Sequence, residues 1–401
     1  MSGYTLVDTF PSGSGFFDRF TFLNGRTNGE DDFALYQSRA NATMLGLISS
    51  DPNSPTIIRV DNSSVLAADA IGRPSIRIHS IQTVTTGLYV FDIGHVPVAC
   101  GTWPALWFKK TSVQDPTATE IDVYETIDFR KTNGIGFYSN GNCSASTQSS
   151  QLLNLTQTTL NCGIDPKNRA ALSGCNYNDL PISSAGTGFN QQGGGVYAME
   201  MTSNYMNYYY WPRSQIPSDL TSGNPNPSGW GKPYINFQFD CCSPDLFQGL
   251  NLIINTNICG EWAGTAKDAE CASLWSGEKA CNSYIAAHPE TLSEAYWAFN
   301  SVKIYQKAQD PFAPNPSVTC PAGSVVTATL KQSSIVPPTP AATRLATTVI
   351  PIIASSRTIG MMTTVVPVKS TSKSAAASLA PAQSSMLVGA LLFWMLLRRL
   401  F

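Results

Sequence analysis

Three carboxylates fall within six residues, Glu120-Ile-Asp-Val-Tyr-Glu125, and few backbone conformations can bring all three together. In a strand, alternate side chains share a face, so Glu120 and Asp122 point the same way. Glu125 lies an odd number of steps from Asp122, and a regular strand sends it to the opposite face. One extra residue, taken up as a β-bulge near Val123 and Tyr124, returns it beside the other two. Ile121 and one of Val123 or Tyr124 then face a core. Three acids on one face repel each other, and a fold accepts that mainly at a site that uses them. The alternative for the hexapeptide alone is a solvated acidic edge strand. The aromatic approach Gly101-Thr-Trp-Pro-Ala-Leu-Trp-Phe108 weighs against it.

The chemistry that asks for such a trio is glycoside hydrolysis. A retaining mechanism needs an ionised carboxylate as nucleophile and a protonated one as acid, roughly 5 to 5.5 Å apart. Four effective strand steps place the two Glu Cα atoms about 13 Å apart at roughly 3.3 Å per residue. Two long side chains leaning inward close that gap. Asp122 between them can hydrogen-bond the nucleophile and help to separate the two glutamate pKa values.

The rest of the first 306 residues reads as an all-β chain. Short apolar-polar runs are broken by Gly, Pro, Asn and Asp, with turn signals at Asn24-Gly25 and Asn28-Gly29. Ser75–His79 and Leu88–Ile93 are predicted strands, and residues 4–100 hold no convincing amphipathic helix. Residues 126–195 are loop-rich, with 136–143 as the one strand-like stretch. Val196–Met201 and Asn207–Pro212 form a predicted hairpin, and the tyrosines of its second strand suit cross-strand packing. Asn251–Thr256 is a buried strand and Ala295–Tyr305 a closing one. This pattern predicts an all-β fold, a β-sandwich jelly roll.

Only 13% of the residues are charged and the net charge is −2, which excludes a generally basic nucleic-acid binder and suits a neutral partner such as a polysaccharide. Ten cysteines, an even number, suit an oxidising compartment. The adjacent Cys241 and Cys242 should pair with different partners. With no C-x-x-C pair and with His79, His95 and His288 scattered, neither a metal nor another cofactor is expected. Sequons at Asn41, Asn62, Asn142 and Asn154 favour secretion. The opening Met-Ser-Gly-Tyr-Thr-Leu carries no charged n-region and no apolar h-region, so a signal peptide is expected to have been left out of this sequence.

Glu120-Ile-Asp-Val-Tyr-Glu125 resembles the E-x-D-x-x-E signature of glycoside hydrolase family 16, of the fungal laminarinase or endo-1,3(4)-β-glucanase type. Further segments are similar to that family in the right order: Gly72-Arg-Pro-Ser-Ile-Arg77, 101–107, Gly193-Gly-Gly-Val-Tyr-Ala-Met-Glu200, Pro212-Arg-Ser-Gln-Ile-Pro217, Cys259-Gly-Glu-Trp-Ala-Gly264 and Ser293-Glu-Ala-Tyr-Trp297. The resemblance implies a concave sheet forming a substrate cleft, with Glu120 as nucleophile, Glu125 as general acid/base and Asp122 assisting. It implies Arg73 as a cleft donor to sugar hydroxyls, with Arg77 structural. Trp103 and Trp262 are the implied cleft tryptophans, with Trp107 and Tyr138 lining the same cleft. Members commonly carry His where Tyr138 stands and Gly where Thr126 stands. The stretch 109–119 also lacks the usual Trp and Gly pair. These departures touch the flanking subsites and leave the trio intact.

After Asp310 there is no Asp or Glu, and no aromatic residue separates Phe312 from Phe393. Three regions are expected: a catalytic domain over 1–308, a disordered Ser/Thr/Pro/Ala-rich stalk over 309–385, and a hydrophobic tail over 386–401. Met386–Leu397 is shorter than the roughly 20 residues that span a bilayer. It suits a glycolipid-anchor signal, with a short membrane anchor as the alternative. The whole reads as a monomeric, secreted, surface- or wall-anchored β-glucanase that meets the membrane only through its tail. Two other readings are weighed. A cell-wall transglycosylase could use the same site, although that branch usually carries the unbulged E-x-D-x-E. A non-catalytic glucan-binding wall protein would have no need of three acids.

Overall fold

The computed structural model describes residues 3–307 apart from 14, 28–31, 68, 112–117, 140–142, 144–161, 164–173, 178–179, 203, 239–241, 243 and 266–267. The stalk, the tail, Cys241, Asn142 and Asn154 lie outside the described residues.

The first strands are β1 (Tyr4–Pro11), β2 (Phe20–Phe22), β3 (Ala34–Tyr36), β4 (Ile48–Ser49), β5 (Thr56–Arg59) and β6 (Arg73–Ser75). The middle of the chain gives β7 (Arg77–Ser80), β8 (Gly87–His95), β9 (Thr102–Lys109), β10 (Glu120–Glu125), β11 (Gly134–Tyr138) and β12 (Cys175–Tyr177). The last are β13 (Gly195–Met201), β14 (Tyr205–Pro212), β15 (Ile235–Gln238), β16 (Asn251–Ile258) and β17 (Tyr296–Lys307). One sheet runs β15-β14-β13-β8-β17-β5-β4, with β1 also on β17; the other runs β12-β11-β10-β9-β16-β7-β2. Every pair within both sheets is antiparallel, while β3 and β6 form a separate parallel pair. The result is the expected β-sandwich jelly roll.

Alternation decides which face is core. From the second sheet, Ile78, Leu106, Phe108, Ile121, Val123, Tyr124, Leu252 and Ile254 join one buried cluster with Tyr89, Phe91, Tyr197, Met199 and Tyr208 of the first. Tyr89 meets Phe108 edge-on at 5.2 Å, and Tyr124 meets Tyr197 at 5.8 Å. Each such side chain contributes about 1.5–3 kcal/mol when buried. A one-residue slip of β9 or β10 would forfeit several at once, so the core locks the register that aims the opposite face outward.

A second, smaller apolar cluster is fastened by two disulfides, Cys100–Cys271 and Cys259–Cys281. Its segment includes the short helix Gly260–Ala263, which carries Trp262, and the helix Glu278–Ala287. Cys143–Cys242 and Cys162–Cys175 are also bonded.

The hairpin is formed by β13 and β14. Tyr208 and Tyr210 turn into the core, where Tyr210 stacks on Tyr197 at 5.1 Å. The stretch 126–195 differs from expectation. Its strand starts at Gly134, and β12 and a helix over Gly186–Gln191 follow. Gly134 and Gly136 are strand residues lying opposite Glu125 and Asp122.

Candidate active site

β10 carries the predicted bulge. Against β9, Asp122 pairs with Trp107 but Tyr124 pairs with Leu106, so Val123 is the extra residue. Against β11 the register jumps from Asp122–Gly136 to Glu125–Gly134. Both Val123 and Tyr124 turn into the core, one more than expected. The three acids are thereby returned to one face. Three cross-strand rows result: Lys109, Glu120 and Tyr138; Trp107, Asp122 and Gly136; Ala105, Glu125 and Gly134. β16 extends them with Asn251, Ile253 and Asn255, β7 adds His79 and Arg77, and Asn257 lies opposite Trp103.

The acids have different surroundings. Glu120 forms an ion pair with Lys109, Oε2 to Nζ at 2.9 Å. Burial raises the Glu125 carboxyl to about 7; the charge of Glu120 pushes the same way, while a hydrogen bond from Trp103 and the charge of Arg130 oppose it. Burial, then Glu125 and Glu120, hold Asp122 well above the usual carboxylate range against the pull of Lys109. Only 3% of Asp122 is exposed. This face of β10 therefore offers one carboxyl with a cation beside it and another that keeps its proton close to neutrality.

Gly136 makes room for Asp122. A Cβ there would lie 2.5 Å from Asp122 Oδ2 and 2.6 Å from a ring carbon of Tyr138. Tyr138, half-buried, donates its hydroxyl to Asn176 Oδ1 at 2.5 Å. Burial and the three carboxyls push its phenol above the ordinary range.

Trp103 donates Nε1–H to Glu125 Oε1 at 2.7 Å and meets Trp262 edge-on at 5.4 Å. Both indoles are half-buried, and the Arg130 guanidinium lies 4.8 Å from the Trp262 ring centre. Trp107 lies opposite Asp122, with Arg77 at 5.1 Å and Lys109 at 5.6 Å from its ring and its Nε1–H given to Asn255 Oδ1.

Arg73 is a correction. Its side chain is fully buried and all of its N–H groups are engaged, by Asp61 Oδ2 and carbonyl, by the carbonyl of Ile285 twice, and by the carbonyl of Ala286. β6 pairs with β3 rather than joining the acid-bearing sheet, so Arg73 is a structural clamp with no donor left for a sugar. Arg77, expected to be structural, is the arginine on the acid-bearing face. Sequence reasoning also missed Lys109, Asn133, Asn255 and Arg130. Lys109 shares parity with Trp103 and Trp107, a signal countable in the sequence; the others require the strand register. Among the described residues no group of three or more His, Cys, Asp or Glu is arranged to hold a metal ion.

The model of the XgeA-like catalytic domain of glycoside hydrolase family 16 matches residues 20–305. The chain belongs to glycoside hydrolase family 16. A probable endo-1,3(4)-β-glucanase of Aspergillus niger is 35% identical over 311 residues, 76% of this chain and 40% of that protein. The chain therefore spans less than half the length of this curated family 16 relative. Among solved structures, an elongating family 16 β-1,3-glucosyltransferase matches with TM-score 0.68 and 33% identity, covering 76% of this chain and 100% of the other. Laminarinase 16A of Phanerochaete chrysosporium, with 6-O-glucosyl-laminaritriose in donor and acceptor sites, matches with TM-score 0.67 and 32% identity over 76% and 99% of the two chains.

Proposed function

We propose that residues 1–308 form the catalytic domain of a retaining endo-β-glucanase acting on β-1,3 or mixed β-1,3/1,4 glucan. The observation that carries this is the division of the glutamates: Glu120 beside Lys109, Glu125 raised to about 7. Glu120 attacks the anomeric carbon while Glu125 gives its proton to the departing glycosidic oxygen. The leaving chain carries that proton away, and a glycosyl ester on Glu120 remains. Glu125, now ionised, takes a proton from water, whose oxygen displaces Glu120 and frees the sugar. Asp122 flanks both steps, its carboxyl held well above the usual carboxylate range by burial and by the charges of Glu125 and Glu120.

Trp103 and Trp262 supply half-exposed rings for the apolar faces of glucose units, with Trp107 and Tyr138 completing the walls. The partner is a neutral β-glucan. The four described disulfides support a secreted enzyme, tethered at the cell surface or wall through the stalk over 309–385 and the tail over 386–401, and working as a monomer.

A second reading keeps the site and changes the acceptor: a sugar hydroxyl replaces water and the product is a longer chain. Likeness to an elongating β-1,3-glucosyltransferase favours it. Incubating the full chain with a β-1,3-glucan and with a mixed-linkage β-glucan, and sizing the products, tests both. Only shorter chains are expected of the hydrolase. Longer chains would move the assignment to the transferase, and no products would leave a glucan-binding wall protein.

A further inference from the structure

The bulge that brings Glu125 to the acid face leaves two backbone groups without ladder partners. On the β11 side, Val123 and Tyr124 together oppose only Ile135, between the pairs Asp122–Gly136 and Glu125–Gly134. One side chain fills the gap. Asn133, immediately before β11, accepts from the Glu125 N–H with Oδ1 at 2.9 Å and donates from Nδ2 to the Val123 carbonyl at 2.8 Å. It is fully buried, and its own N–H is given to the Ser184 hydroxyl at 2.9 Å.

The match is chemical as well as spatial. The bulge offers one acceptor and one donor, and a carboxamide presents one donor and one acceptor in a rigid plane. Aspartate lacks the donor, leucine lacks both groups, and glutamine is one methylene too long for the closed space. The two bonds grip the residues on either side of Tyr124, so they fix the turn of backbone from which the Glu125 side chain springs.

We infer that Asn133 is the positioning residue for the acid/base glutamate: its carboxamide replaces the missing ladder across the bulge and sets where the Glu125 carboxyl meets the glycosidic oxygen. The inference rests on the reading of Glu125 as the proton donor. The side-chain bonds of Asn133 go to the backbone of Glu125 and Val123 and not to the reacting carboxyl, and in kcat/KM its effect is read in the first displacement, the step that needs the proton.

Leaving-group dependence separates this role from a merely structural one. For the full chain, kcat/KM is measured on a β-1,3-glucan, whose leaving oxygen must be protonated, and on 2,4-dinitrophenyl β-laminaribioside, whose phenolate leaves unaided. Asn133→Ala is expected to lose about 100-fold on the glucan, within the range of general-acid effects, and less than about 3-fold on the aryl substrate. Equal losses on both, or none on the glucan, would overturn the inference. Glu125→Gln is the control: if it shows no such selectivity, the assignment of the acid fails first and the inference falls with it. If Asn133→Ala does not fold, Asn133→Asp decides. It keeps the acceptor and supplies the donor only when protonated, so its selective loss on glucan should shrink as pH falls. A ratio of losses that ignores pH would overturn the inference.

Discussion

Trp103 donates its indole N–H to Glu125 Oε1 at 2.7 Å, and the same indole stands edge-on against Trp262. In the proposed mechanism one residue thus links the wall of the cleft to its acid. The bond stabilises the charged form of Glu125, partly offsetting burial, which pushes the carboxyl up to about 7. Trp103→Phe keeps an aromatic ring and removes the donor. The protonated, active form should then persist to higher pH, and the alkaline limb of kcat/KM should move above its wild-type position near 7. An unmoved or lowered limb would show that the bond does not tune the acid.

The raised acid has a stability signature. Below the unfolded pKa of 4.5 Glu125 is protonated in both states and costs nothing. As pH rises toward about 7 the unfolded chain ionises first, and stability is lost; above 7 the full penalty remains. Glu125→Gln removes that penalty. It should stabilise the protein by about 1–3 kcal/mol at pH 8 and leave it nearly unchanged at pH 4, while hydrolysis is lost. Thermal melts at the two pH values check this.

Gly136 lies opposite Asp122, and a methyl group there has no room beside the carboxyl or the Tyr138 ring. Its backbone is not left-handed, so the strand itself tolerates alanine. Gly136→Ala should fold with a stability loss of about 1–3 kcal/mol from overpacking. Displacing Asp122 and Tyr138 should lower kcat by about 100-fold, as misplacement by roughly 1 Å can do. A variant with wild-type kcat would show that Asp122 has no place in the mechanism.

Arg73 tests the correction made above. Arg73→Met strips the partner from the Asp61 carboxylate and from three backbone carbonyls. The expected cost is about 3–5 kcal/mol of stability, the usual result of breaking a buried ion pair from one side, with KM for glucan unchanged in the folded fraction. A raised KM without loss of stability would return Arg73 to the cleft.

The residues that could be read from the sequence are those whose placement depends on counting along one strand. Parity put Glu120 and Asp122 together, and the odd step to Glu125 demanded the bulge at Val123. Trp103 and Trp107 were singled out by the family resemblance, and the alternation that buries Leu106 and Phe108 in β9 accounts for their facing away from the core. Arg73 was misplaced because a motif match says nothing about which sheet its strand joins, and β6 pairs with β3. Asn133 and Asn255 were invisible for a related reason. Each acts across a gap between strands, on Val123 and Glu125 in one case and on Trp107 in the other, and that geometry exists only once register is set. Lys109 could have been found, since it follows Trp107 by two residues on the same face.

The double displacement stands or falls on which glutamate carries the sugar. The full chain, incubated with a 2-deoxy-2-fluoro-β-laminaribiosyl fluoride, should accumulate a glycosyl-enzyme, because the fluorine slows the second step more than the first. Digestion and mass spectrometry should place the added mass on Glu120. Label on Glu125 instead, or no covalent adduct from a preparation that hydrolyses glucan, would contradict the account.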